Sequence, residues 1–190
     1  VLHYIKNNSF LNDDEFILID AGAEYENYAS DITRTYVVSN NINPIKQTIY
    51  DIVFDAQQKA INSVKPGSTL SSVHKIALET LVQGLIDIKI LKGSIDEIIE
   101  TDLYKEFYMH GTSHWLGLDV HDTSPYTINE KEIILEPGMI FTVEPGLYFS
   151  NRSRYSDKNQ VLSGTGVRIE DDILVTENGH INLSTDISYR

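Results

Sequence analysis

Met139-Ile-Phe-Thr-Val-Glu144-Pro145-Gly146 is a strand-like apolar run that ends on a carboxylate and then breaks. Two more runs end the same way, Phe16-Ile-Leu-Ile-Asp20 and Val167-Arg-Ile-Glu170. A carboxylate carried into a core by such a run is costly unless a cation meets it there. Asp31, opening Asp31-Ile-Thr-Arg-Thr, adds a fourth acid and His114 an imidazole, about what a pair of divalent ions needs. Two such ions, held roughly 3.5–4 Å apart, polarise a carbonyl and lower the pKa of a shared water. They need bridging carboxylates, because one negative group must neutralise part of both charges. Four carboxylates and one neutral imidazole favour Mn²⁺, with Co²⁺ or Zn²⁺ as alternatives, over a softer thiolate site. Taken singly, each acid reads as a salt bridge or a cap; taken together they read as a hydrolytic metal site.

The sequence around these residues fits an α+β arrangement: strands, two long helices, then strands again. Phe16 to Gly22 reads as a buried strand ending in a turn that Gly22 permits. Ser30 to Val38 reads as a second strand, with Arg34 placed to face an acid. Asn43-Pro44 is a helix start, with Asn as the cap and Pro at the first helical position. Ile45, Ile49, Ile52, Val53, Ala56 and Ala60 follow at helical spacing until Pro66-Gly67. A second helix follows Ser71, with Val73, Ile76, Ala77, Leu81 and Leu85 on one face and Thr80 interrupting it; a shorter one spans Ser94 to Glu100. Met139 to Phe149 and Gly166 to Thr176 are the clearest later strands. The polar stretch Asn151 to Gly164 reads as a flexible loop. Gly111 and Gly117 flank His114 and let backbone pass close to a crowded site, and Pro145-Gly146 turns the chain sharply after Glu144. Arg168 lies two residues before Glu170, so both project from one strand face, where Arg168 reads either as a group that orients carboxylates or as a plain structural salt bridge.

At 190 residues the chain is one domain with room for a real core. No apolar stretch approaches the roughly 20 residues of a membrane span, and neither a signal-peptide pattern nor a cysteine is present, which suits the cytoplasm. A formal net charge of -13 argues against nucleic-acid binding, which needs basic patches.

In order and spacing, Asp20-Ala-Gly, Asp31-Ile-Thr-Arg-Thr, His110-Gly-Thr-Ser-His114-Trp-Leu-Gly-Leu-Asp-Val-His121-Asp, Glu144-Pro-Gly-Leu-Tyr148 and Gly166-Val-Arg168-Ile-Glu170-Asp-Asp resemble the pita-bread metallopeptidases, and most closely their aminopeptidase P branch. The resemblance implies a curved antiparallel sheet backed by helices, with a pseudo-duplicated architecture that is not visible as a sequence repeat. It implies a metallo-aminopeptidase that hydrolyses the N-terminal Xaa-Pro bond with a dinuclear centre and a bridging water or hydroxide. Asp31 and Glu170 are then the bridging ligands, Asp20 binds one ion, and His114 with Glu144 bind the other. His110 and His121 take catalytic positions, stabilising an intermediate or passing a proton to the departing nitrogen. His3, Tyr148 and Arg168 fall at the substrate-binding pocket, where Trp115 and Leu116 also offer apolar walls for a prolyl ring. His74 and His180 read as surface residues. The implied partners are peptides with proline at the second position and, in the full-length protein, further copies of itself; neither nucleic acid nor a membrane is implied. Because the chain opens at Val1 with His3 following at once, the resemblance also implies that an upstream domain and the first elements of this one are missing. Prolidase and methionine aminopeptidase share the fold. Non-catalytic pita-bread modules that bind peptides do too, but they lack metal ligands that are all present here.

Overall fold

The computed structural model describes residues 6–39, 41–150 and 157–189. Among them, four strands precede the helices: β1 (Phe16–Ala21), β2 (Glu24–Tyr25), β3 (Tyr28–Ala29) and β4 (Ile32–Val37). The helices are α1 (Pro44–Asn62), α2 (Leu70–Asp87) and the short α3 (Ile95–Glu100). Then come β5 (Thr127–Ile128), β6 (Lys131–Glu132), β7 (Ile140–Val143), β8 (Gly146–Tyr148), β9 (Gly166–Arg168), β10 (Asp171–Thr176) and β11 (Gly179–Asn182). The pairings between these strands are antiparallel.

The helices start where side chains satisfy their first N–H groups. Asn43 accepts from the Ile45 N–H at 3.1 Å and Pro44 occupies the first turn, as the sequence predicts. The second helix begins before Ser71, because Thr69 and Ser72 exchange side-chain and backbone hydrogen bonds in a capping box. Ile49, Val53 and Ala56 of α1 meet Leu78, Leu81 and Leu85 of α2 in one apolar cluster, which continues into Leu147, Val167 and Ile169. Thr80 bonds its hydroxyl to the Ile76 carbonyl, so its polarity costs the helix little. No helix among the described residues is long and apolar enough to cross a membrane.

The two long strands expected from the sequence each divide. Met139 to Phe149 becomes β7 and β8, and Gly166 to Thr176 becomes β9 and β10. Pro145 has no N–H with which to continue a ladder, and the pairing changes there: β7 joins β10 and β11, while β8 joins β9. Glu144 and Glu170 sit at this seam between two short sheets. Gly146 is therefore not the pivot of a sharp turn. Its φ is not positive, and a Cβ there would stand 2.7 Å from the Tyr148 hydroxyl and 2.9 Å from the Val167 carbonyl, so close packing requires the glycine.

Two further expectations are corrected. β1 is half-buried from Phe16 to Leu18 but exposed from Ile19 to Ala21, since among the described residues it hydrogen-bonds to β4 alone. Within the loop expected from Asn151 to Gly164, Asp157–Leu162 form a 3₁₀ helix and Leu162 is wholly buried.

Candidate metal centre

Asp20 and Asp31 are brought together by a detour. β1 and β4 pair with Asp20 opposite Thr33, and the β2–β3 hairpin closes the excursion between them on Glu26 and Asn27, both at positive φ. Gly22 is needed here, because a Cβ on it would lie 1.8 Å from the Ser30 carbonyl oxygen. Glu144 and Glu170 arrive from the seam. His114 comes from a segment in no regular strand, held by its own N–H on the Thr142 hydroxyl (3.2 Å) and its carbonyl on the Thr142 N–H (3.0 Å).

All five side chains converge. Ligand atoms of Asp20, Asp31 and Glu170 lie within 4.8 Å of one another, as do those of His114, Glu144 and Glu170. Glu170 belongs to both groups. The imidazole of His114 is oriented for metal binding: Nδ1 donates to the Trp115 carbonyl at 3.1 Å, which leaves Nε2 facing the acids. From Nε2, Asp31 Oδ2 is 3.3 Å away, Glu144 Oε1 3.7 Å and Glu170 Oε1 3.9 Å.

Electrostatics show what such a cluster lacks by itself. Burial, against the opposing pull of His114 and Arg168, pushes the Glu144 carboxyl up to about 7. Burial, then the charges of Glu144 and Asp31, holds Glu170 well above the carboxylate range. Burial would raise Asp31 too, but the His114 hydrogen bond and charge outweigh it and hold that carboxyl low. His114 answers in kind: burial opposes its protonation, and the Asp31 and Trp115 hydrogen bonds raise it nonetheless. Hard oxygen donors that resist ionisation for want of positive charge fit divalent cations.

Around the acids runs a chain of hydrogen bonds. Arg168 donates to Asp20 Oδ2, to Thr33 Oγ1 at 3.1 Å and to the Tyr148 hydroxyl at 3.2 Å. Thr33 donates in turn to Glu170 Oε2 at 2.6 Å, so Arg168 and Glu170 do act on one side, although Glu170 lies beyond the end of β9. His110 completes the chain: Nδ1 donates to the Gly111 carbonyl at 2.7 Å, and Nε2 accepts from the Tyr148 hydroxyl at 2.8 Å. Both nitrogens are engaged, and burial lowers this imidazole to about 4. Neutral His110 therefore holds Tyr148, whose phenol burial pushes up to about 12, rather than offering a free proton. His121 is different. Its exposed ring stacks on His114, with centroids 4.1 Å apart and planes 16° apart, and it lies within ligand distance of Asp31 and His114.

Several side chains depart from expectation. His3 lies outside the described residues. Trp115 packs into the core beside Phe141 and Leu135, and together with Leu116 it also lines a cleft shared with Pro125, Ile128 and Met139. A Cβ at Gly111 would meet nothing nearer than 3.9 Å, whereas one at Gly117 would strike Asp122 Oδ2 at 2.3 Å. His180 is half-buried and donates Nδ1–H to the Val64 carbonyl at 3.0 Å. His74 is half-buried as well and bonds Thr112, next to the site. Asp172, not singled out from the sequence, accepts the Asp31 N–H at 3.2 Å. Its place immediately beyond Glu170-Asp171 was the only signal for it.

The model of the metallopeptidase family M24 matches residues 1–177. The chain belongs to this family. Among M24 relatives, it is 46% identical over 180 residues to the Xaa-Pro aminopeptidase of Haemophilus influenzae, covering 95% of this chain and 41% of the relative. It is 42% identical over 187 residues to that of Escherichia coli K12, covering 98% and 42%. Escherichia coli aminopeptidase P with the inhibitor Pro-Leu superposes with a TM-score of 0.93 at 42% identity, over 100% of this chain and 42% of that one. The Pseudomonas aeruginosa aminopeptidase PepP gives 0.94 at 40% identity over the same shares. The pita-bread fold implied by the sequence is the fold of these structures. The chain spans about two-fifths of the length of the curated relatives it matches.

Proposed function

We propose that the protein is a metallo-aminopeptidase that releases the N-terminal residue from peptides whose second residue is proline. The observation that carries the reading is the convergence of four acids on His114 Nε2, in a chain of family M24 whose relatives are Xaa-Pro aminopeptidases. Asp20, Asp31 and Glu170 would hold one divalent ion, and His114, Glu144 and Glu170 the other, with Asp31 joining the two sets through its contact with His114. Such ions, Mn²⁺ by the hardness of the donors, supply Lewis-acid polarisation of the scissile carbonyl and acidify water. Arg168 fixes Asp20 directly and Glu170 through Thr33. The Tyr148 hydroxyl, held by Arg168 and His110, is a polar contact for substrate beside the acids. His121, its exposed ring stacked on His114 beside the acids, is the residue to pass a proton to the departing proline nitrogen.

Elemental analysis of the full-length protein after Mn²⁺ loading and desalting is expected to approach two ions per chain. A value near zero in a folded sample overturns the reading. Tripeptides of the form Xaa-Pro-Xaa are expected to be cleaved and Xaa-Pro dipeptides left intact; the reverse preference would make the enzyme a prolidase.

His121→Ala is expected to retain both ions and lose about 10²-fold in kcat, the scale of general acid–base catalysis. Its distance to Asp31 and His114 also suits a ligand. Bound metal and kcat measured on one preparation separate the roles: parallel loss of both would put His121 in the coordination sphere.

A further inference from the structure

The aromatic and hydroxyl groups behind the His110–His114 segment have no part in the chemistry above, yet they are tightly organised. His74, one turn into α2, places Nδ1 2.7 Å from Thr112 Oγ1. Its ring tilts by 31° against that of Tyr108, with 5.8 Å between centroids. Tyr108 is wholly buried, and its hydroxyl lies 2.6 Å from the same Thr112 oxygen. One hydroxyl thus receives two polar groups, which suits a side chain with one proton to give and lone pairs to accept. Burial depresses His74, so it bonds as the neutral imidazole.

What Thr112 does with its backbone gives this arrangement meaning. Its carbonyl accepts the Glu144 N–H at 2.7 Å. Two residues on, His114 exchanges its bonds with Thr142. These three bonds lace residues 112–114 to 142–144 and set two metal ligands side by side, although residues 110–114 form no regular strand. The seam at Pro145 leaves Glu144 without a ladder partner beyond it, so the Thr112 carbonyl is its anchor. We propose that His74 is a positioning residue for the metal centre: by gripping the Thr112 side chain from α2, it fixes the backbone that aims His114 and Glu144. The proposal rests on the metallopeptidase reading for its consequence, not for its geometry.

The test compares His74→Phe, which keeps a ring against Tyr108 but no hydrogen bond, with His74→Asn, whose amide stands near the Nδ1 position. Amide hydrogen exchange is read on the full-length protein with Mn²⁺ and again after chelation. In His74→Phe, exchange at Glu144 and Thr142 is expected to quicken about 10-fold while Val53, in the core of α1, exchanges as before. Mn²⁺ affinity is expected to fall by about 10-fold, the lower end of the range for partners that orient ligands. His74→Asn should recover most of both. Wild-type exchange and affinity in His74→Phe overturn the proposal. So do equal losses in the two variants, or quickened exchange that extends to Val53. If the wild-type protein binds no Mn²⁺, the functional reading fails, and the exchange rates after chelation still decide whether His74 clamps the segment.

Discussion

Asp31→Asn is expected to lower kcat/KM for Xaa-Pro peptides by more than about 100-fold, and Lys75→Ala to leave it unchanged. Groups that merely orient ligands cost about 10–100-fold when removed, and Asp31 is itself proposed as a ligand. Its Oδ2 stands 3.3 Å from His114 Nε2, and it shares a group with Asp20 and Glu170, so it touches both halves of the centre. The amide keeps the shape and removes the charge, leaving two cations with less between them. Lys75 is the proper comparison, because its side chain is exposed and pairs with Glu79 one turn away, at 3.7 Å. Such surface pairs contribute little. His74 would be a poor one, given its bond to Thr112. Kinetics and metal content of the two full-length variants decide the matter: equal rates would remove Asp31 from the centre.

Arg34→Met is expected to destabilise the domain by about 3–5 kcal/mol, the cost of stranding one partner of a buried ion pair. That corresponds to a fall in Tm of roughly 6–20 °C for a domain of this size. Arg34 is 2% exposed and Asp171 fully buried, with 2.7 Å between Nη2 and Oδ1. Asp171 also accepts from Gln57, Asn182 and Tyr189, while Arg34 donates to the carbonyls of Thr33 and Glu170 and lies over the Tyr189 ring. The guanidinium therefore ties β4 to the backbone that presents Glu170. Thermal denaturation checks this, and Arg34→Met with Asp171→Leu should lose less than the single change, since no charge is left unpaired. A single variant that melts within about 2 °C of wild type would show that other donors satisfy Asp171.

Arg34 was legible in the sequence because a cation two residues into an apolar strand needs an acid. Asn43-Pro44 was legible because capping is local. Asp20, Glu144 and Glu170 stood out because each is a carboxylate within or ending an apolar run, and Asp31 and His114 because of the motifs around them. The seam was not legible. An apolar run containing Pro145, or crossing Ile169-Glu170, has the periodicity of one strand, and only the partner on either side reveals that it is two. Exposure of β1 and burial of His74 failed for a similar reason. Ile19 reads as core by its type, and His74 as solvent-facing by its helix, until distant neighbours are known. The tautomer and engagement of His110 likewise depend on Tyr148, 38 residues away.

The candidate ligands come from segments strung between Asp20 and Glu170, and each group joins residues far apart in the chain, so the full set of five forms only when β1, β4 and both sides of the seam are in place. An unfolded chain has no such constellation, so a divalent ion would bind the finished fold almost exclusively. At an ion concentration 100 times Kd, that linkage adds about 2.7 kcal/mol to stability. Metal supply would then govern more than turnover. In a cell short of the ion, correctly made protein would open more often and meet proteases sooner, so abundance as well as rate would track the free ion.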